Sequence, residues 1–579
     1  MLPILHVNGF KISERTIFGC MDNKELVSLF SGYGYSVCIV EDLENIHAQL
    51  SGAMDEIKAI QRDARDGNPR SKPRWPMIVL RTLKGWTGPK EVDGQVMEGS
   101  FHSHQVPLPK AKTDETQLAE LRKWLQRYDA SKVLPNGEPS ESVLEIIPQN
   151  DSKKLGQLKV TYDPHTPLKL SKWEPLAVEK GSQQSCMQIT GKLLDQFMQD
   201  NPHTLRLFSP DELESNKLDA ILEHTGRNFQ WDQYSRNQGG RVIEVLSEHM
   251  CQGFLQGYTL TGRTGVFPSY ESFLGIVHTM MVQYSKFAKI AKDVSWRGPL
   301  SSINYIETST WTRQEHNGFS HQNPSFIGAV LNLKAEAARV YLPPDANCFL
   351  STIHHCLKSQ NYVNLVIGSK QPTPVYLSAD EAAEHCMNGA GVWEFASTDA
   401  GKDPDVVLVG VGVEVTFEVV KAAELLRAMA PALRVRVVNV TDLMVLAAES
   451  RHPHALSRAA FEELVTPDQP VLFNYHGYAT ELQGLLFGRQ RTDRMAVDGY
   501  KEEGSTTTPF DMMLANEVSR FHVATRALKA AAESNGAVRE KLDALLGEVE
   551  ARTREVKEYI MSNGKGEDRA SVLPSTPKR

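Results

Sequence analysis

The sequence predicts an α/β protein made of several parallel-sheet units, and three observations carry that prediction. The stretch from Arg241 to Phe273, RVIEVLSEHMCQGFLQGYTLTGRTGVFPSYESF, reads as strand, turn, helix, turn and second helix. Further on, DVVLVGVGVEVTFEVVKAAELLRAMAP followed by LRVRVVNV has the texture of a strand, helix, strand crossover, and VLFNYHGYATELQGLLF begins another. A length of 579 residues, with 41% hydrophobic and 23% charged side chains, exceeds one ordinary core and fits three domains.

Composition excludes several function classes. A net charge of −8 and a pI near 6.2, with no basic stripe in any segment, argue against general nucleic-acid binding, so local basic groups are expected to serve small anions. The seven cysteines are scattered without a C-x-x-C pair, which reads as reduced thiols in a cytosolic protein rather than a disulfide or zinc framework. No apolar run reaches membrane-spanning length, and Met1-Leu-Pro-Ile-Leu is too short and uncharged for a signal peptide, so a soluble, cytoplasmic protein is expected.

In chain order, LPILHVNGFKI reads as a buried strand running into the turn pair Asn8-Gly9, with no cap or linker before it; the chain is expected to begin inside a domain. Residues 24 to 65 alternate short strands and helices, and PMIVLRTLKGW is a strand ending at Lys84. Lys84, His102 and His104 follow strand ends or lie in Gly- and Pro-rich loops, and the absence of a third nearby ligand argues against zinc at the histidine pair. From Leu108 to about Lys180 the chain reads as a surface connection with one helix, ETQLAELRKWLQRY, and weak strands such as LGQLKVTYD. LRLFSPDELESNKL is a strand whose exit carries Asp211, Glu212 and Ser215.

In the Arg241 to Phe273 stretch, Ser247 offers a helix N-cap and Glu248 sits where a strand gives way to a helix. That is the edge of an open α/β sheet where ligands bind, and walls of Phe273, Tyr270 and Phe254 would partly desolvate the carboxylate; a helix-favouring charge is an equal reading from this segment alone. SSINYIETSTWTRQEHNGFSHQNP is a strand leading into a polar loop with Gln314, His316, Asn317 and His321, and YVNLVIGSK brings Lys370 to a strand's C-terminal end, where it can hold phosphate as a point charge. GVGVEV lacks the third glycine and the acidic residue of a dinucleotide fingerprint and reads as a tight strand-to-helix turn.

LSEH, a helix and then SYESF resemble the pyrimidine-binding domain of thiamine diphosphate enzymes of the transketolase group, and HNGFSHQNP is similar to a phosphoketolase signature. The resemblance covers nearly the whole chain and implies three doubly wound transketolase-like domains, the first incomplete. Residues 1–107 would be the C-terminal part of the diphosphate-binding domain, 108–181 a connection, 182–381 the pyrimidine-binding domain, 382–562 the C-terminal domain and 563–579 a disordered tail.

The resemblance also implies roles. Glu248 would hydrogen-bond N1′ of the aminopyrimidine and Phe273 would pack on that ring. Asn8 would complete a magnesium site, Asp211, Glu212 and Lys84 would lie near the cofactor, and Ser215 would contact the substrate phosphate. His104, His316 and His321 would move protons or orient hydroxyls, with Tyr270, Gln314, Asn317 and Lys370 holding substrate or inorganic phosphate. The implied activity is phosphorolysis of xylulose 5-phosphate, fructose 6-phosphate or both to acetyl phosphate, by a homodimer with its site at the subunit interface. The metal-binding Gly-Asp-Gly motif of the family does not precede Asn8 here, so the chain alone is expected to be inactive or nearly so. A non-catalytic fragment that keeps the dimer fold, and a transketolase, are the alternatives.

Overall fold

The computed structural model describes residues 2–210, 213–228 and 240–566. They divide into two compact units, one within residues 2–154, the other within residues 155–228 and 240–566.

The smaller unit holds a three-stranded parallel sheet of β1 (Ile4–Val7), β2 (Ser36–Val40) and β3 (Pro76–Arg81), in the order β1-β3-β2. Val7, Met77 and Val79 from these strands pack with Leu26 of the Asn23–Gly32 helix. A capping box starts that helix: the Asp22 carboxylate accepts from the Glu25 N–H while Glu25 reaches back to the N–H of Asp22. Strand β3 stops at Arg81, so Lys84 lies in the loop beyond it.

The larger unit carries two large sheets beside a two-stranded antiparallel pair of Gln183–Ser185 with Pro372–Pro374. The first has six strands, β4 (Leu205–Ser209), β5 (Val242–Glu244), β6 (Thr264–Ser269), β7 (Ile303–Glu307), β8 (Ala338–Tyr341) and β9 (Val363–Ile367), in the order β8-β9-β7-β6-β4-β5. Every pairing is parallel, and β6, β7, β8 and β9 are buried along their whole length, as a sheet covered on both faces requires. The second sheet runs β10 (Ala390–Val392), β11 (Val406–Val411), β12 (Val435–Val440), β13 (Val471–Tyr478) and β14 (Met495–Tyr500), in the order β10-β12-β11-β13-β14, with only β10 antiparallel to its neighbour. The two sheets expected in separate domains thus share one compact unit.

One expectation about the connecting region changes. LGQLKVTYD forms a 3-10 turn, Leu155–Gln157, and a helical turn, Lys159–Tyr162, instead of a strand. The boundary between the compact units falls between Lys154 and Leu155, within the stretch 108–181. The last helix ends at Asn563 with Gly564 in the left-handed conformation, and residues 567–579 of the expected tail lie outside the described residues. Among the described residues no helix is long and apolar enough to cross a membrane.

Asp345 anchors the helix after β8. Fully buried, its carboxylate accepts from the N–H groups of Cys348 at 2.9 Å, Tyr376 at 2.8 Å and Leu377 at 3.1 Å, tying the N-terminus of Ala346–Lys358 to the segment after β9. Asp345→Ala orphans three buried donors and is expected to cost about 3 kcal/mol or more. A chemical-denaturation midpoint equal to that of the parent chain would contradict this account of the helix start.

Candidate active site

The strands of the six-stranded sheet all deliver their C-terminal ends to one edge, and several of the residues singled out from the sequence lie just beyond those ends. Ser247, after β5, caps the Glu248–Leu260 helix by accepting from the Met250 N–H, so Glu248 is the first helical residue. Its carboxylate is half-buried and has no ion-pair or side-chain hydrogen-bond partner among the described residues. An acidic group placed in the first turn of a helix is favoured as the anion and stands ready to meet a ligand's donor.

Beyond β6, Tyr270 and Phe273 present their rings as a stacked pair, 5.7 Å apart and 12° from parallel. The His321 ring sits edge-on to Phe273 at 5.1 Å and 6.1 Å from Tyr270. The Tyr270 hydroxyl donates to the Ser215 hydroxyl at 2.9 Å, and the Lys370 ammonium lies 4.6 Å from the centre of the Tyr270 ring. Five residues chosen from four separate stretches of sequence therefore meet: Ser215, Tyr270, Phe273, His321 and Lys370. Phe254, expected as a wall, instead stands 46% exposed on the Glu248–Leu260 helix.

The loop after β7 supplies the rest. Gln314 is buried and its side-chain oxygen accepts from the Asn317 amide at 2.8 Å, while the same amide approaches His316 Nε2 at 3.3 Å. The loop rests on the second sheet's neighbourhood: the Thr507 N–H donates to the Glu315 carbonyl at 3.2 Å, and the Tyr500 hydroxyl donates to the Gln322 carbonyl at 2.9 Å. Gly318, at φ +72°, turns the loop where a side chain would stand 3.3 Å from the Thr506 hydroxyl.

In the smaller unit, Lys84 is buried, donates to the Lys11 carbonyl and approaches His104 Nδ1 at 3.4 Å, so these two expected residues also come together. The Asn8 side-chain oxygen accepts from the Phe10 N–H at 3.1 Å, a turn role, and Asn8 lines a cleft of about 530 Å³ with Arg15, Glu41, Arg81 and Glu98. Asp211 and Glu212 lie outside the described residues.

Several buried polar residues next to the site were not singled out from sequence. Glu271 sits between Tyr270 and Phe273, is fully buried, and accepts from the Trp311 N–H and from His476. Glu307, the last residue of the central strand β7, is fully buried with neither carboxylate oxygen hydrogen-bonded among the described residues. Burial first, then the neighbouring Glu271 and Glu481 carboxylates, push the Glu307 carboxyl well above the usual range. Asn216 is buried and takes hydroxyl donors from Thr308 at 2.5 Å and Ser309 at 3.2 Å, fastening the Ser215 turn to the end of β7. Only the word SYESF hinted at Glu271; the others have no periodic or local signal.

Solved transketolases share the fold: the enzyme from Leishmania mexicana is matched over 92% of this chain and 72% of that chain at a TM-score of 0.60 and 17% identity. The Pichia stipitis transketolase in complex with sedoheptulose 7-phosphate gives a TM-score of 0.61 at 14% identity. These establish a transketolase-like α/β fold.

The sequence comparisons narrow that class. Residues 188–359 match the family described as D-xylulose 5-phosphate/D-fructose 6-phosphate phosphoketolase, residues 1–166 its N-terminal domain and 370–574 its C-terminal domain. A probable phosphoketolase of Schizosaccharomyces pombe is 51% identical over 97% of this chain and 68% of its own length, and one from Rhodopseudomonas palustris is 44% identical over 96% and 71%. The chain belongs to the phosphoketolase family.

Burial, with His316 and the Lys370 ammonium adding to it, holds the His321 imidazole below its ordinary value of 6.5. At neutral pH His321 is therefore a proton acceptor. Lys370→Met removes one nearby positive charge and is expected to move the His321 titration upward, as read by imidazole NMR shifts against pH. A downward or absent movement would show that the two side chains do not share one electrostatic site.

Proposed function

We propose that this chain catalyses the phosphorolytic cleavage of xylulose 5-phosphate, fructose 6-phosphate or both, giving acetyl phosphate and a shorter aldose phosphate in carbohydrate metabolism. The observation that carries this reading is the convergence of Lys370, Tyr270, Ser215 and His321 at one sheet edge. A lysine point charge and hydroxyl donors suit phosphoryl oxygens, and an imidazole held neutral suits proton transfer from a sugar hydroxyl.

The cofactor of this reading is thiamine diphosphate with magnesium. When bound, thiamine diphosphate supplies the carbon nucleophile that attacks the ketose carbonyl. The donor set fits it: Glu248 is a half-buried carboxylate with no side-chain partner among the described residues, and the stacked Phe273 and Tyr270 rings offer an apolar wall for a flat heterocycle. Glu248 would hold N1′ and its proton, Phe273 would pack on the ring, and Lys84 would serve the cofactor, as would Asp211 and Glu212, which are outside the described residues. Asn8 would offer its amide oxygen to magnesium, a hard cation that takes oxygen ligands.

His321 and His316 would exchange protons with the substrate hydroxyls, a role also assigned to His104, and Gln314 and Asn317 would orient the substrate through their mutual hydrogen bond. Inorganic phosphate enters against Lys370, Tyr270 and Ser215. A homodimer accounts for the exposed apolar residues Leu246, Met250 and Phe254, spaced by four beside Glu248, which a second subunit would cover. Seven free cysteines suit a cytoplasmic location.

The test begins with calorimetric titration of thiamine diphosphate and magnesium into the purified chain, followed by hydroxamate detection of acetyl phosphate from each ketose phosphate. Acetyl phosphate is the outcome this reading expects, in place of the inactivity expected from the motif pattern alone. Ketol transfer to an added aldose without acetyl phosphate would favour a transketolase, and no cofactor binding would favour a non-catalytic chain. In the active protein, Glu248→Gln is expected to lower turnover by roughly 10² to 10⁴-fold while the fold survives, because the amide cannot exchange the N1′ proton. His316→Ala and His321→Ala are expected to impair turnover more than cofactor binding. Hydrogen exchange at the cofactor's reactive carbon unchanged in the Glu248 variant would remove that residue from its role.

A further inference from the structure

Three fully buried side chains close a ring of hydrogen bonds behind the site without reaching it. The Glu271 carboxylate accepts from the Trp311 backbone N–H at 2.7 Å with one oxygen and from His476 Nε2–H with the other. The Trp311 indole N–H donates to the His476 backbone carbonyl at 2.8 Å, and the two rings stack with centroids 6.0 Å apart. Each member comes from a different place. Glu271 lies in the turn that presents Tyr270 and Phe273, Trp311 opens the loop that carries Gln314, His316, Asn317 and His321, and His476 is in β13 of the second sheet.

The packing makes the ring specific. Gly412, at φ +122° in the turn after β11, leaves the space His476 occupies; a side chain there would place its Cβ 2.7 Å from that of His476. Trp311 sits in its own apolar cluster with Val415, Tyr500, Met512, Met513 and Val518. Thr310 beside it donates its hydroxyl to Glu414 at 3.3 Å, a second tie from the loop to the helix after Gly412. Burial alone would lower the His476 imidazole, yet the adjoining Glu271 carboxylate outweighs it and the net movement is upward, so the contact has ion-pair character.

We propose that Glu271 is a positioning residue for the reaction: through Trp311 and His476 it locks the aromatic turn and the substrate loop into one register set by the second sheet. The proposal rests on the phosphoketolase reading of the same site and deepens it. None of the three side chains touches solvent, so their effect on substrates is exerted through Tyr270, Phe273 and the loop residues. If the lock is lost, the two halves of the phosphate and sugar site slide apart while Glu248, fixed by its own helix cap, stays in place.

The test separates positioning from plain stabilisation by asking which constants move. In Glu271→Ala, KM for inorganic phosphate and for the ketose phosphate is expected to rise toward about 10²-fold, the scale of an ångström-sized misplacement, while thiamine diphosphate affinity stays near the parent value. Glu271→Gln is expected to restore KM to within about threefold, because its amide oxygen still accepts from Trp311 and its NH₂ donates to a neutral His476 ring. Trp311→Phe keeps the apolar plug but deletes the bond to the His476 carbonyl, and is expected to raise KM to an intermediate degree; it decides the matter if Glu271→Ala does not fold. Folded variants with unchanged KM, or a glutamine variant as impaired as the alanine one, would overturn the proposal. Parent-chain turnover to acetyl phosphate is the control: its absence would strike the proposed function, whereas its presence beside unmoved KM values strikes only the lock.

Discussion

The structure depends above all on six strands that all run the same way. Because β4, β5, β6, β7 and β9 are parallel neighbours, their C-terminal ends lie at one edge, and the segments that follow them carry Ser215, Glu248, Tyr270, the loop to His321, and Lys370. A parallel strand cannot be joined to its neighbour by a tight turn, so each of these segments must be long enough to cross back over a face. The same constraint that forces long crossovers thus provides loops with room for chemistry, held at their roots by a rigid sheet.

Electrostatics at that edge are arranged in two layers. The outer layer is cationic and aromatic, with Lys370 over Tyr270 and the imidazole of His321 depressed by burial and its neighbours. The inner layer is acidic and sealed: Glu307 and Glu271 are fully buried, and burial raises the Glu481 carboxyl to about 7. Burial and the neighbouring carboxylates push the Glu307 carboxyl upward, and the Glu271 carboxylate is hydrogen-bonded to His476.

Much of this was legible in the sequence, for physical reasons that can be named. Strands buried on both faces read as apolar runs, Ser247 was readable as a cap because its hydroxyl stands one residue before a helical period, and GVGVEV was readable as a tight turn because only glycine tolerates the backbone of Gly412. Lys370 was placed correctly because strand ends are predictable even when neighbours are not. What stayed hidden is non-local. His476 and Trp311 are typical core residues by local pattern, and their partnership with Glu271 spans 205 and 40 positions. LGQLKVTYD was misread because its alternating Leu, Val and Tyr carry strand propensity, while the segment folds as single turns with no partner strand among the described residues.

The strand order has a consequence for how the molecule comes into being. The central strand β7 pairs with β6, which precedes it, and with β9, which is made only after the edge strand β8 and the Ala346–Lys358 helix have been synthesised. Until β9 docks, β7 has one bare edge, and Lys370 has no place beside Tyr270. Sheets with such distant pairings fold slowly, because loop-closure entropy must be overcome before the contacts form. The last step of sheet closure is thus also the step that assembles the site, and a chain interrupted before β9 would expose a hydrophobic strand edge open to pairing with other chains.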